Sequence, residues 1–326
     1  MGRVEALARL YEGTPYRPFE PDAFESPGPE QIVAAQKTFL EGTDFDLTYF
    51  PLQHLGYKCV VAAVGELYAG LSAPRTLSVT FGVSAKWDFV QVRTLWSGVV
   101  TAAQEHGFRS VAFSLLPSVN GLVISLAATG ALPLSRAQDR SAAHSKDLIC
   151  LGGRLGAAYI GMQVLERGRR QFETDGTQPD LEPYRMMVGA YLKPEMPVGL
   201  PERLSESGIR PSYGYLVDKG LADTLLRLHR DSGLGVKVYA ERIPFEGNTF
   251  AFGKELDIDP VTAAMNGGED YRLLWVIPLK DYETFRRDFQ VFDIIGHLAL
   301  PEAGAVLVTP EGAELPLKAQ GWPEAE

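Results

Sequence analysis

The chain contains the stretch Ala263-Ala264-Met265-Asn266-Gly267-Gly268-Glu269-Asp270-Tyr271-Arg272-Leu273-Leu274-Trp275. The adjacent glycines Gly267 and Gly268 let the main chain turn and approach a ligand closely, because they have no side chain to hold it off. The carboxylates of Glu269 and Asp270 follow at once and could bind a cation or a ligand amine. The apolar run after them predicts a buried strand. An ordinary turn before a strand explains the same pattern, so the stretch alone leaves both interpretations open.

The composition is that of an average globular protein: 45% of the 326 residues are hydrophobic and 22% are charged. This length predicts two domains, or one large domain with a continuous core. A net charge of −10 argues against a nucleic-acid-binding protein, which would normally carry a basic stripe. No run approaches the ~18 apolar residues of a membrane span, and the first residues lack an apolar signal core. We therefore expect a cytoplasmic protein that binds neither nucleic acid nor membrane.

Cysteine and histidine give no sign of a metal site. Cys59 and Cys150 lie in apolar contexts far apart in the sequence, which predicts buried, reduced thiols. The five histidines never fall at metal-ligand spacing, so a zinc site is not expected.

Strand and helix patterns alternate along the chain. Helical patterns run from residue 4 to 10, from 54 to 70, from an N-cap at Asp88 to Gly107, from about 156 to 173, on both sides of the turn at 208–211, and through Leu221, Leu225 and Leu228 to Gly233. Strands are predicted at residues 31–39, 77–83, 110–115, 122–129, 147–151, 236–240, 273–277, 292–298 and 306–309. This order predicts helices covering one face of a sheet. A polar segment at about 132–146 divides the chain into an N-terminal domain (1–140) and a C-terminal domain (141–326).

Several segments together resemble the thiamine-monophosphate kinase family, part of a superfamily that includes aminoimidazole ribonucleotide synthetase. The segments are Leu40–Gly42, Asp46–Leu52, Asp147–Cys150, Leu155–Tyr159, Leu192–Glu195, Gly267–Tyr271 and Lys318–Trp322. The resemblance covers nearly all of the chain after the first thirty residues. It implies the two-domain α+β fold of that superfamily, with an N-terminal sheet that pairs two subunits. It also implies an ATP- and magnesium-dependent kinase.

The family's reaction brings several negative charges together, so it requires magnesium held by aspartates. A Gly-Asp-Asp run of the family reads Phe19-Glu20-Pro21-Asp22-Ala23 here. A Thr-Asp pair reads Gln36-Lys37, and Asp44 stands where the family has a histidine. A Ser-Asp pair reads Gly65-Glu66, which keeps the charge on a longer side chain.

The later acidic positions differ in the same direction. A Gly-Gly-Asp-Thr run reads Ala112-Phe113-Ser114-Leu115, whose phenylalanine would block a ligand and exclude water. An Asp-Ile-Ser-Asp-Gly-Leu run reads Leu216-Val217-Asp218-Lys219-Gly220-Leu221, so leucine and Lys219 replace both aspartates and Asp218 takes the serine position. The Gly-Asp-x-Gly turn reads Gly153-Arg154-Leu155-Gly156. Segments that build core and turns match the family, whereas most of the metal-holding acids are absent.

The resemblance and the residue types suggest a set of candidate ligand-binding residues. They are Asp44, Glu66, Arg154, Asp218, Lys219, Gly267, Gly268, Glu269, Asp270 and Trp322. Glu269 and Asp270 either keep a role toward a ligand or cap the following segment and brace the fold. Trp322 forms either an aromatic wall of a substrate pocket or a packed C-terminal anchor. No residue is assigned as catalytic or as a metal ligand.

Three cations, Lys37, Arg154 and Lys219, fall at formerly acidic positions. They either replace the magnesium charge and hold phosphate or another anion directly, or form ion pairs with acidic neighbours. The candidate partners in such pairs are Glu20, Glu66 and Asp218.

The leading hypothesis is a thiamine-monophosphate-kinase-like protein that has lost magnesium-dependent phosphoryl transfer and acts as a ligand-binding or partner subunit. It would need no cofactor and would form a homodimer, or a heterodimer with an intact kinase paralogue. One alternative is an active kinase that uses ATP and magnesium to make thiamine diphosphate in a rearranged site around Glu66, Asp218, Glu269 and Asp270. Another is a different small-molecule enzyme or sensor that holds an anion through Lys37, Arg154 and Lys219.

Overall fold

The chain forms two compact units. One comprises Met1–Gln138 with Glu195–Glu202, and the other comprises Asp139–Pro194 with Arg203–Glu326. A computed structural model describes residues 3–16, 29–134 and 142–321. About 41% of the chain is helix and 27% is strand, in two separate sheets, which confirms the α+β fold class.

Among its described residues, the first unit has a four-stranded sheet and three complete helices. Its elements are α1 (Arg3–Tyr11), β1 (Glu30–Leu40), α2 (Leu52–Ala69), β2 (Ala73–Val83), α3 (Phe89–Glu105), β3 (Ser110–Pro117) and β4 (Val123–Pro133). The strand order is β1-β4-β2-β3. Strands β2 and β3 are parallel and the other neighbours are antiparallel, and all four lie at predicted positions.

Helices α2 and α3 pack backbone against backbone. Asp88 is the N-cap of α3, as predicted, and it forms a capping box with Gln91. Asp88 Oδ1 accepts from Gln91 N at 2.8 Å, and Gln91 Oε1 accepts from Asp88 N at 3.0 Å. A Cβ atom at Gly56 would overlap Leu95 O of α3. The same close approach requires glycine at Gly98 in α3, since a Cβ there would overlap the main chain of α2.

The two faces of the sheet differ in chemistry. On β1, Ala35 and Phe39 are buried while Thr38 between them is exposed, as the alternation of a strand requires. Across the sheet Thr38 pairs in register with Ser125 of β4, which pairs with Thr80 of β2. Thr80 in turn pairs with Ser114 of β3. This row of hydroxyls crosses a face on which the β1 positions from Ile32 to Leu40 carry uncharged side chains, and we call it the uncharged face. Glu30, at the start of β1, forms an ion pair with Arg75 of β2.

The second unit is a seven-stranded mixed sheet with helices. Its elements are β5 (Leu148–Gly152), α4 (Ala157–Asp175), α5 (Arg185–Leu192), α6 (Leu200–Ser207, whose first three residues belong to the first unit), β6 (Tyr213–Val217), α7 (Leu221–Ser232), β7 (Gly235–Tyr239), α8 (Thr249–Glu255), α9 (Pro260–Thr262), β8 (Arg272–Ile277), α10 (Tyr282–Asp288), β9 (Phe292–Ala299), β10 (Ala305–Val308) and β11 (Glu314–Pro316). The strand order is β11-β10-β7-β9-β5-β8-β6.

Most of the predicted elements of the second unit are confirmed. Leu221, Leu225 and Leu228 of α7 are buried in its apolar core, and α7 ends at Gly233. The prediction of a helix on both sides of the turn at 208–211 is wrong for the second side. Residues 213–217 form β6, which pairs antiparallel with β8. Their aromatic and branched side chains favour a strand, and burial against β8 selects it.

Cys59 and Cys150 are buried and form no disulfide, as predicted. Among the described residues, no helix combines the length and apolar character that crossing a membrane requires.

Candidate functional site

Three turns of the second unit meet, and we call them the turn cluster: residues 152–156, residues 218–220 and residues 263–271. The first precedes α4, the second follows β6, and the third precedes β8. Glu269 N donates to Asp218 O at 2.8 Å and thereby joins the second turn to the third. Gly156 N donates to Asp270 Oδ2 at 2.9 Å and joins the first to the third.

The glycines of the cluster allow main chains to touch. Gly220 has φ 101°, and a Cβ atom there would overlap Met265 O. Gly268 has φ 74°, and a Cβ there would lie 2.7 Å from Asp218 O. A Cβ at Gly267 would lie 2.6 Å from the Cβ of Tyr159 on α4. The paired glycines thus serve close packing within the chain.

The quoted stretch contains backbone strain. Residues 263–267 form one turn of π-helix, a conformation that is rare and often found at functional sites. Glu269 and Tyr271 have φ values of 68° and 48°, in the left-handed region that non-glycine residues seldom adopt. The Tyr271 hydroxyl donates to Glu269 Oε2 at 3.2 Å. Such strain persists only where the surroundings fix it, here through the contact with Asp218.

Asp270 caps helix α4 from a distance. The residue is 4% exposed, and its two carboxylate oxygens accept from Gly156 N at 2.9 Å and from Ala158 N at 3.2 Å. Burial raises the pKa of Asp270 to about 6, against the opposing effect of these two hydrogen bonds. The cap therefore serves the preceding helix α4 rather than the segment that follows Asp270. The carboxylate occupies the helix N-terminus, where an external anion could otherwise bind.

Asp218 and Lys219 are neighbours with opposite surroundings. Asp218 is buried at the end of β6, while Lys219 is exposed. Glu269 is half-buried. The structure therefore brings Asp218, Glu269 and Asp270 into one cluster, with the Lys219 side chain at the surface.

Arg154 lies in the first turn of the cluster and is exposed. Its guanidinium donates to Phe245 O at 3.1 Å, and its own carbonyl accepts from Arg272 Nε at 3.2 Å. These contacts anchor the turn before α4 to the loop that precedes α8.

Lys37 and Glu66 form an ion pair in the first unit. Lys37 Nζ lies 2.8 Å from Glu66 Oε1, and the two side chains are 16% and 26% exposed. Lys37 comes from β1 and Glu66 from α2, which covers the sheet. Glu66 is one of the three partners considered from the sequence, and Glu20 lies outside the described residues. Glu66 and Lys37 both stand at positions where the family resemblance implies metal-holding acids, and they bind each other.

Asp44 and Phe113, two further positions of the first unit that were singled out from the sequence, make contacts that support the fold. Asp44 Oδ2 accepts from Leu40 N at 2.8 Å and closes the turn after β1. The Phe113 ring packs on Trp96 and Phe81, with ring centroids 4.6 and 4.9 Å away. Phe113 therefore belongs to an aromatic cluster under the sheet.

Some predicted site residues cannot be placed. The run at residues 19–23, with Glu20, and the tail residue Trp322 lie outside the described ranges. Within those ranges, no group of three or more His, Cys, Asp or Glu side chains could hold a metal ion.

Sequence reasoning missed the long-range cap of α4. A signal was available: Gly156 precedes α4 and has no side chain to cap it. The helix therefore needed an acceptor from elsewhere in the chain.

Comparisons with known proteins connect this geometry to a family. No model of a known protein family matches the sequence. The thiamine-monophosphate kinase of Bacillus subtilis (strain 168) is 20% identical over 299 residues, which cover 90% of this chain and 88% of that protein. The crystal structure of thiamine-monophosphate kinase from Aquifex aeolicus matches with a TM-score of 0.73 and 18% identity, over 89% of this chain and 91% of that one. The crystal structure of the hydrogenase maturation protein HypE matches with a TM-score of 0.69 and 17% identity, over 94% and 93%.

These relatives and the shared fold agree with the segments from which the family was inferred, and the low identities agree with the altered acidic positions. The chain is similar in sequence to thiamine-monophosphate kinases over most of its length, and it has the fold of thiamine-monophosphate kinase and HypE.

Proposed function

We propose that this protein is a thiamine-monophosphate-kinase-like subunit that has lost magnesium-dependent phosphoryl transfer and acts by binding a ligand or a partner. The observation that carries the proposal is the Lys37–Glu66 ion pair. At two positions where the family resemblance implies metal-holding acids, this chain has one ammonium and one carboxylate 2.8 Å apart. The carboxylate of Glu66, which would attract a metal ion, is bound by an ammonium group.

The residues at the other former metal positions do not fit magnesium either. Magnesium requires hard oxygen ligands in nearly octahedral geometry, mainly carboxylates. Ser114, Leu216 and Lys219 stand where the family resemblance implies aspartates. Two of these side chains offer no oxygen and the third offers a hydroxyl.

The alternative of a rearranged kinase site is not favoured. It would use Glu66, Asp218, Glu269 and Asp270, of which Glu66 lies in the first unit and is paired with Lys37. Asp270 is buried and bound to two main-chain N–H groups. Neither carboxylate can serve a metal ion without giving up a contact of the fold.

The anion-holding alternative is not favoured either. Lys37 pairs with Glu66 in the first unit, whereas Arg154 and Lys219 are exposed residues of the second unit. Arg154 also donates to the main-chain carbonyl of Phe245, which holds its guanidinium group against the loop before α8.

The uncharged sheet face supports an assembly role. It carries the hydroxyl row of Thr38, Ser125, Thr80 and Ser114. Ile32, Leu40 and Leu116 are exposed at the ends of strands, and such side chains on an open sheet favour association. A second copy of this chain, or an intact kinase paralogue, would cover the face. The family resemblance implies the same mode of pairing.

A kinase assay tests the proposal directly. Purified protein, ATP, magnesium and thiamine monophosphate should give no thiamine diphosphate above background, because each lost charge-stabilising group lowers the rate by ~100- to 1,000-fold. The Bacillus subtilis relative, assayed in parallel, controls for the reagents. Turnover at an ordinary enzyme rate would overturn the proposal. If no turnover is found, a thermal-shift screen of nucleotides, thiamine phosphates and anions, with and without magnesium, would identify ligands that bind without metal.

A further inference from the structure

The second unit contains a cavity of about 440 Å³ between α4 and the end of α8. Its walls come from Tyr159, Gln163, Arg167, Arg170, Leu256 and Ile258. None of these residues was a candidate from the sequence, and none belongs to the turn cluster. We call this cavity the α4–α8 pocket.

One wall is a single face of α4. Tyr159, Gln163, Arg167 and Arg170 are spaced by four, four and three residues, which places them in a row along the helix. The row begins with an aromatic ring, continues with an amide and ends with two guanidinium groups. An elongated ligand along this face would meet an apolar end and a cationic end.

The floor is apolar and fixed by a tight turn. Leu256 and Ile258 flank Asp257, whose φ is 57°. Ile258 N donates to Gly253 O at 2.8 Å and Asp257 N donates to Lys254 O at 3.4 Å, the two bonds of a Schellman turn at the end of α8. Leu256 also packs on the small core formed by Ala157, Ile160 and Met187.

The two arginines are held differently. Arg167 donates to Glu255 Oε1 at 3.0 Å and to the Tyr184 hydroxyl at 2.8 Å, so its guanidinium is fixed in place. Arg170 donates from Nε to Glu166 O at 3.2 Å. Its two terminal nitrogens have no hydrogen-bond partner among the described residues. The wall thus has two cations and one neighbouring carboxylate, that of Glu255. Arg167 is bound to this carboxylate, whereas Arg170 keeps unused donors.

We propose that the α4–α8 pocket binds a small organic anion, with its phosphate or carboxylate on Arg170 and its apolar or aromatic body over Leu256, Ile258 and the Tyr159 ring. Guanidinium groups bind both kinds of anion with paired hydrogen bonds. Gln163 offers a donor and an acceptor to polar atoms of the ligand body. This site does not depend on the proposed loss of kinase activity, since it contains none of the former metal positions.

Calorimetric titration of the full chain with phenyl phosphate, benzoate and inorganic phosphate tests the proposal. We expect phenyl phosphate or benzoate to bind with a Kd on the order of 1 mM, given the size of these probes. Inorganic phosphate should bind more weakly, because it cannot use the apolar floor. The stronger of the two aromatic probes tells which anionic group the site prefers.

Two matched variants locate the site. Arg170→Gln should weaken the better probe by about tenfold, the effect of losing a charged hydrogen bond. Arg169→Gln is the control, because Arg169 lies on the same helix but pairs with Glu166 and Glu173 instead of lining the pocket. Ile258→Ala should weaken phenyl phosphate and leave inorganic phosphate unchanged. Absence of binding by both aromatic probes at about 10 mM, or equal weakening by the two arginine variants, would overturn the proposal; melting curves verify that the variants are folded.

Discussion

Glu66 and Asp270 are two carboxylates at positions where the family resemblance implies acids, and each is bound by other groups of the same chain. Glu66, in the first unit, is partly exposed and paired with one ammonium. Asp270, in the second unit, is buried and accepts two main-chain N–H bonds. The ion pair of Glu66 balances a charge and fixes little of the fold. The hydrogen bonds to Asp270 instead hold the start of a 19-residue helix. Retained acids in one divergent chain can therefore persist for different reasons.

The largest effect should come from removing the buried acid. Asp270→Ala leaves Gly156 N and Ala158 N without their acceptor, which should lower the free energy of unfolding by about 3 kcal/mol. Chemical denaturation measures this loss. Asp259→Ala is the matched control, because Asp259 accepts from Thr262 N at an exposed helix start and should cost about 1 kcal/mol. Equal losses in the two variants would show that Asp270 is not the structural cap inferred from its contacts.

The two faces of β1 also differ in chemistry. Lys37 lies beneath α2, and the neighbouring Thr38 lies on the uncharged face. We expect the wild-type protein to sediment as a dimer at micromolar concentration. Ser125→Arg places an unpaired charge in the middle of that face and should weaken pairing by about 100-fold. Thr101→Arg, on an exposed position of α3, should leave the dimer intact. A wild-type protein that sediments as a monomer contradicts the assembly role.

Acid titration distinguishes a buried acid from an exposed one. Burial raises the pKa of Asp270 from 3.8 to about 6, so the folded state holds this proton more tightly than the unfolded state. The resulting stabilisation is complete below pH 3.8 and is lost as the pH rises through 6. Between pH 4 and pH 6 the wild type should lose about 2 kcal/mol relative to Asp270→Asn, which cannot titrate. Parallel pH profiles for the two proteins would mean that the pKa of Asp270 is not raised.

The smallest effect on stability should come from the ion pair. Lys37→Ala should lower the free energy of unfolding by less than about 1 kcal/mol, because the pair is partly exposed and screened. Lys37→Asp should change the binding of magnesium more than it changes the free energy of unfolding. It places two carboxylates together, so millimolar magnesium should raise the melting temperature of that variant. Lys86→Asp, on an exposed loop of the same unit, should show no such dependence. If magnesium stabilises the wild type as much as Lys37→Asp, the pair does not exclude the ion.

The sequence predicted the fold class and most elements, because apolar periodicity and caps such as Asp88 are local signals. Strand β6 was missed, since its five residues were merged into a neighbouring helical pattern and only the pairing with β8 reveals it. Glu66 was one of three considered partners for Lys37. The choice among them depends on which face of β1 the lysine takes.

The site was harder to predict than the fold because its contacts are distant in sequence. The Gly-Gly-Glu-Asp stretch indicated a close backbone approach, which the contacts of Gly268 and Gly220 bear out within the chain. The stretch could not indicate that Asp270 reaches back to α4. The α4–α8 pocket also joins residues about 90 positions apart. The spacing of the row on α4 can be read from the sequence, but that the end of α8 lies opposite it cannot.

The long-range cap of α4 also has a consequence for the order in which the protein acquires its structure. Gly156 and Asp270 are separated by 114 positions. A ribosome adding ~5–20 residues per second needs roughly 6 to 23 s to bring the acceptor into existence after the helix start has been made. During that interval the first turn of α4 must rely on water for its N–H groups. Completion of the second unit during biosynthesis therefore waits for synthesis of its own distal part.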